Sequence, residues 1–210
     1  MRYALIGCGR IARNHMIAAH NTSVELVALC DLDPIKMNTL LEASPLAGAT
    51  PGFYTDYKEM LREVKPELVA IATDSGVHAQ IALDCIRMGC HVIIEKPIAM
   101  SVADAKAIVD EAEKYGVKVA ACHQNRFNEA CQQMHKAREQ GRFGKLSHGS
   151  IHVRWNRNKD YYDQASWRGL WAEDGNPVPV YFAQQSIPYA VALSHLFLLP
   201  VQSLPHKSVL

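Results

Sequence analysis

Short apolar runs without alternation recur through the first 121 residues, and each is followed by a stretch whose pattern suits a helix. Tyr3-Ala4-Leu5-Ile6 is the first run, and its unbroken apolar character predicts a parallel strand covered on both faces. A helix from Ile11 to about Ala19 and a second strand from Val24 to Cys30 follow. Asp33 suits the cap of the next helix, because Pro34 then takes the first helical position. Ala43 to Pro51 reads as the loop with the most conformational freedom. Thr55 or Asp56 can cap a helix to about Val64, and Leu68 to Ile71 reads as a buried strand. The loop Thr73-Asp74-Ser75-Gly76 opens a helix that reaches Met88 and stops at Gly89. His91 to Ile94 is again a strand. Ser101 with Asp104 forms a capping arrangement for a helix closed by Gly116, and Val117 to Ala121 is the last strand of an expected six, of which these runs locate five. This alternation predicts an α/β fold with a doubly wound parallel sheet, whose ligands belong at the carboxyl ends of the strands.

The first strand leads directly into Gly7-Cys8-Gly9-Arg10-Ile11-Ala12. Glycines there permit a tight turn and let backbone N–H groups approach a pyrophosphate at the N-terminus of the following helix; Ala12 stands where only close helix–strand packing is needed. A lone GxGxxA is a weak signal, but this one follows a strand, opens a helix and precedes a second strand ending at Asp31, the setting of a Rossmann dinucleotide site. Asp31 can accept hydrogen bonds from the adenosine ribose and would repel a 2′-phosphate, so NAD is favoured over NADP unless Arg10 or Lys36 offsets its charge. Ile93-Ile94-Glu95-Lys96-Pro97 then puts a lysine and a carboxylate at the mouth of a buried strand. A lysine desolvated beside a cofactor can move the proton that accompanies a hydride, and Pro97 restricts its predecessor so that Lys96 is aimed. On its own the tripeptide equally fits a strand-end salt bridge followed by a turn proline; its context favours the site.

After Ala121 the character changes. Cys122-His123-Gln124-Asn125-Arg126 is a polar cluster at a strand end, a helix from about Glu129 to Gln140 closes at Gly141 and Gly144, and Lys145 to Trp155 alternates as a strand with one solvated face would. Tyr161-Tyr162-Asp163 and Trp167-Arg168-Gly169-Leu170-Trp171 set aromatic rings beside arginines, as a sugar or nucleotide-sugar pocket needs. Rings and arginines also make ordinary amphipathic core, and that stretch alone favours core.

Composition narrows the class. Apolar residues make up 49% of the 210-residue chain and the formal net charge is +1, which suits an intracellular globular protein, expected in the cytoplasm, and argues against nucleic acid as a partner. Neither a signal peptide nor a membrane-spanning apolar stretch is evident, so no membrane partner is expected. Six cysteines lack CxxC pairing and are expected to be reduced core thiols; the ten histidines show no ligand spacing, and no metal is assigned.

The ordered set Gly7-x-Gly9-x-x-Ala12, Asp31, Thr73-x-Ser75-Gly76-Val77-His78, Glu95-Lys96-Pro97 and Asn125-Arg126-Phe127 resembles the glucose–fructose oxidoreductase / inositol dehydrogenase (Gfo/Idh/MocA) family, over residues 1 to about 174. The Tyr161-Tyr162 and Trp167-Arg168-Gly169-x-Trp171 stretch is similar to a bacterial branch that oxidises the 3-position of UDP-N-acetylglucosaminuronate for surface-polysaccharide synthesis. The resemblance implies an NAD-binding Rossmann domain over 1–121 and, over 122–210, the beginning of an α+β open-sheet domain for substrate and homo-oligomer contacts. Carried over by position, Lys96 would be the catalytic lysine. Gly7, Cys8, Gly9, Arg10, Ile11, Asp31, Thr73, Ser75, His78, Glu95, Lys96 and Asn125 would hold the cofactor. Lys96, Gln124, Arg126, Arg154, Trp167 and Arg168 would meet the substrate.

Two departures from the family pattern stand out. Asp74 replaces a loop proline, and Pro188 and Val191 occupy the positions of an acid–base histidine and an aspartate, with His195 too late to match. The tail after Gly175 therefore reads as a diverged, damaged or truncated start of the substrate domain. Two functions remain open: an NAD-dependent oxidoreductase acting on a secondary alcohol of a sugar or nucleotide sugar, impaired in this short chain, and a dinucleotide-binding module without turnover. In the encoding DNA across codons 170 to 210, a restored reading frame would distinguish a frameshift from divergence or truncation.

Overall fold

The computed structural model describes residues 1–145, 147–148 and 159–163. Of these, Met1–Cys122 form one compact unit and the residues from His123 onward belong to a second.

Six strands, β1 (Arg2–Ile6), β2 (Glu25–Cys30), β3 (Gly52–Tyr54), β4 (Leu68–Ile71), β5 (His91–Ile94) and β6 (Val119–Ala121), form one sheet in the order β3-β2-β1-β4-β5-β6. Every pairing is parallel. Helices α1 (Ala12–Asn21), α2 (Pro34–Glu42), α3 (Tyr57–Val64), α4 (His78–Arg87) and α5 (Val102–Tyr115) connect them. After β3 the chain returns to set β4 beside β1, so the carboxyl ends of those two strands flank the point where sheet growth reverses, where ligands enter doubly wound folds.

The missing alternation in β1 has a direct cause: both faces are covered. Ala4 and Ile6 pack with Met60, Ile81, Ile86 and Ile108 of α3, α4 and α5 on one side, while Tyr3 and Leu5 pack with Met16, Met37 and Leu40 of α1 and α2 on the other. Each fully buried side chain of this size contributes about 1.5–3 kcal/mol.

Helix starts follow local chemistry. The side chain of Asp33 accepts from Ile35 N–H before α2, Asp56 from Lys58 N–H before α3, and Ser101 from Asp104 N–H before α5, while Gly116 ends α5 at φ 66°. Between Thr55 and Asp56, the structure selects Asp56. The strand that the pattern did not locate is β3, three residues of which Gly52 and Phe53 are exposed. The stretch after α2 is a series of turns held by Ser44, whose Oγ donates to Leu41 O at 2.8 Å and accepts from Leu46 N at 3.1 Å. The second unit contains a 3-10 turn (Gln124–Phe127), α6 (Glu129–Glu139) and the short α7 (Lys159–Asp163). Most of the strand expected over residues 145–155 lies outside the described residues. No helix among the described residues is long and apolar enough to cross a membrane.

Candidate functional site

The loop after β1 is tied to β2 and pressed against β4. Gly7 N donates to Cys30 O at 2.8 Å, and a Cβ on Gly7, at φ 92°, would lie 2.6 Å from the Ala72 carbonyl carbon and oxygen. Only glycine fits this close approach in this conformation. Gly9 differs: a Cβ there would meet nothing within 4 Å, so its backbone faces open space. Arg10 is exposed and Ile11, at the start of α1, is half-buried. No side chain caps α1 or α4, whereas α2, α3, α5 and α6 are all capped. Ala12 N and Asn14 N already donate to Gly9 O at 3.1 Å and Ile11 O at 2.9 Å, so a pyrophosphate at the start of α1 would be met by the loop beside the open side of Gly9.

Asp31 extends this cradle. Its Oδ2 accepts from Cys8 N at 2.7 Å and its Oδ1 from Asp33 N at 2.9 Å, so the carboxylate fixes the phosphate loop directly. Each oxygen keeps a second lone pair, which leaves acceptors for ribose hydroxyls. These residues fit a dinucleotide whose pyrophosphate meets α1 and whose ribose meets Asp31. Burial and the Asp31 charge push the Cys8 thiol up to about 12, so at neutral pH it contributes its backbone N–H and not a thiolate.

The loops after β4 and β5 meet through one ring. His78 is 1% exposed; its Nδ1 lies 2.8 Å from Pro97 O and its Nε2 3.1 Å from Thr73 O. A neutral imidazole donates to one of these carbonyls, an imidazolium to both. Expected to line the cofactor cleft, His78 instead presents no ring nitrogen to it, because both face backbone oxygens. Thr73 is half-buried beside it and Ser75 is buried.

Glu95 N donates to Ile71 O at 2.9 Å, which extends the ladder one residue past β5. The Glu95 carboxylate lies 3.0 Å from His15 Nε2 of α1 and accepts from Lys96 N at 3.3 Å. Burial pushes this carboxyl up, but the hydrogen bond and charge of His15, Lys96 N–H and the Cys122 thiol outweigh it and hold the group below its ordinary range. Burial and the Glu95 carboxylate together push the Cys122 thiol up to about 12. Lys96, joined to Pro97 by a cis peptide, is exposed. The desolvation expected for it is therefore not supplied by its protein neighbours, and a covering ligand would have to provide it.

The first unit thus brings together Gly7, Cys8 and Asp31, and separately Thr73, His78 and the Glu95-Lys96-Pro97 turn. Gln124 and Arg126 are exposed and Asn125 half-buried on the 3-10 turn of the second unit. Arg154, Trp167 and Arg168, like Pro188, Val191 and His195, lie outside the described residues. Sequence reasoning missed His15 and placed Cys122 only within a polar strand-end cluster; both converge on Glu95. One faint signal existed for His15: it sits between Ala12 and Met16, on the buried side of α1.

Two crystal structures of the WlbA dehydrogenase, each in complex with NADH and UDP-GlcNAcA, resemble this chain. The Chromobacterium violaceum protein is 34% identical with a TM-score of 0.83, and the Bordetella pertussis protein is 36% identical with a TM-score of 0.80; each match covers 94% of this chain and 55% of the other. A glycosyl hydrolase family 109 protein of Shewanella woodyi is 30% identical over 193 residues, 86% of this chain and 41% of its own length. The chain thus spans about half the length of these relatives. With the phosphate loop, Asp31 and the Glu95-Lys96-Pro97 turn placed in one doubly wound sheet, and with residues 1–123 matching the model of the GFO_IDH_MocA oxidoreductase family, NAD-binding Rossmann fold, the chain belongs to that family.

Proposed function

We propose that the protein to which this chain belongs is an NAD-dependent dehydrogenase of a secondary alcohol on a sugar or nucleotide sugar, with UDP-N-acetylglucosaminuronate as the leading candidate. The observation that carries this is the exposed Lys96 at the end of β5, in the same sheet as an uncapped α1 and the Asp31-clamped phosphate loop. Bound NAD supplies the hydride acceptor. Lys96 would take the hydroxyl proton as hydride is given up from the same carbon, so that the alcohol becomes a carbonyl. Glu95 holds the Lys96 backbone N–H, and the His78 ring lies against the carbonyl of Pro97, the residue that follows. The likeness to WlbA structures that hold NADH and UDP-GlcNAcA supports the substrate class. Residues 1–121 as cofactor domain, 122–210 as part of a substrate and homo-oligomer domain, a cytoplasmic location and a role in polysaccharide synthesis belong to the same proposal.

A second reading, cofactor binding without turnover in this chain, is favoured by Pro188 at the position of the family's acid–base histidine, since proline cannot transfer a proton. NADH formation with UDP-N-acetylglucosaminuronate, hexoses and inositol separates the two. Turnover that disappears in Lys96→Met, with NADH affinity unchanged, supports the dehydrogenase. Intact NADH binding with no turnover on any substrate favours the second reading. Cleavage of an aryl glycoside with no net NADH would sink the dehydrogenase and favour chemistry like that named for the Shewanella relative.

A further inference from the structure

Three side chains of different donor type meet where α1, β5 and β6 come together. The metal-ligating atoms of His15, Glu95 and Cys122 all lie within 4.8 Å of one another, the one such group of three found among the described residues. Each donor is carried by a fixed backbone. His15 stands within α1, Glu95 N is bonded to Ile71 O at 2.9 Å, and Cys122 N to Ile94 O at 2.8 Å. The side chains of His15 and Glu95 are 10% and 12% exposed, which is low enough to strip most water from an ion and high enough to admit one.

We propose that His15, Glu95 and Cys122 form a binding site for a divalent cation of the zinc type, with Nε2, a carboxylate oxygen and Sγ as three ligands and water as the fourth. Tetrahedral zinc with bonds of about 2.0–2.3 Å sets its ligands roughly 3.3–3.7 Å apart. His15 Nε2 and Glu95 Oε1, at 3.0 Å, are already near that spacing, and the remaining separations need to close by about 1 Å, within reach of side-chain rotation. The donor set is also selective: imidazole and thiolate suit zinc or cobalt, and a single carboxylate with no further oxygen ligand suits magnesium or calcium poorly. Charge closes the case. A divalent ion held between a carboxylate and a thiolate cancels both of their charges. On binding, the Cys122 thiol proton and the proton that His15 Nε2 shares with Glu95 go to solvent, and the imidazole carries its remaining N–H on Nδ1, which frees the Nε2 lone pair for the metal.

Cobalt titration tests this without requiring turnover. The background carries Cys131→Ser, because Cys131 and His135 stand one turn apart on α6 and could bind metal themselves. One equivalent of Co2+ is expected to give a thiolate-to-metal charge-transfer band with four-coordinate d–d bands, both displaced by Zn2+. Cys122→Ser should remove the charge-transfer band. His15→Ala should weaken Zn2+ by no less than the roughly ten-fold that loss of an outer-shell partner costs. In the otherwise unmodified protein, Zn2+ should shift the His15 ring Nε2 resonance, which keeps the test open if a variant does not fold. A cobalt spectrum unchanged by Cys122→Ser, or no Zn2+-induced shift at His15 with metal well above the protein concentration, would overturn the site.

Discussion

Gly7 and Gly9 share one loop and answer to different constraints. A methyl on Gly7 would collide with the Ala72 carbonyl at 2.6 Å in a φ of 92°, so Gly7→Ala is expected to cost about 1–3 kcal/mol of stability and to lose NADH binding. Gly9→Ala meets nothing within 4 Å and should leave the thermal midpoint unchanged while weakening NADH, because the methyl enters the space a pyrophosphate needs. Thermal melts beside NADH fluorescence titrations separate the two; a Gly9→Ala protein that binds NADH normally would refute the assignment. Asp31 makes a second residue-level case. Losing a hydrogen bond to its charged carboxylate costs about 1.5–3 kcal/mol, so Asp31→Ala should weaken NAD roughly ten-fold or more and narrow its lead over NADP. Calorimetry showing equal affinities in the unmodified protein would contradict the NAD preference. Gly7, Asp31 and Lys96 were legible in the sequence because a short motif fixes their surroundings. The pairing of Glu95 with His15, 80 positions away, was not, since periodicity does not say which loops meet.

At the scale of elements, α3 and α4 are joined by a polar contact whose strength depends on pH. Tyr57 Oη donates to Asp84 Oδ2 at 2.8 Å, with Lys58 Nζ at 3.5 Å from the same oxygen. Burial pushes the Asp84 carboxyl up, yet the hydrogen bonds from Tyr57 and Gln80 and the Lys58 charge outweigh it and leave the group below its ordinary value. A carboxyl lowered by folding contributes stability above its unfolded pKa of about 3.9 and loses it as pH falls through the lower folded value. Tyr57→Phe should therefore cost about 1 kcal/mol near neutrality, a discounted figure because Asp84 is partly exposed, and less once Asp84 is protonated. Urea midpoints of both proteins near neutrality and at about pH 2–3 check this; an undiminished difference in acid would exclude the carboxylate as the cause. Element starts at Asp33, Asp56 and Ser101 were legible because capping is local. β3 was not, because three residues with exposed Gly52 and Phe53 carry no period and gain their strand character from pairing with Ala28, Leu29 and Cys30.

On the scale of the whole molecule, the unbroken apolar runs announced a parallel sheet covered on both sides, while the strand order, which depends on the unlocated β3, came only with the structure. The polar cluster after Ala121 was legible as a change of character, but its work depends on partners that local patterns do not specify. His78 has a consequence for motion across this architecture. Its ring lies between the loop that leaves β4 and the loop that leaves β5, so displacing either loop disturbs the same side chain. The two segments are expected to fluctuate as one cooperative unit. Amide exchange over 74–77 and 98–100 should then share a single opening rate, which His78→Ala splits into two; two distinct rates already present in the unmodified protein would show that the ring does not couple them.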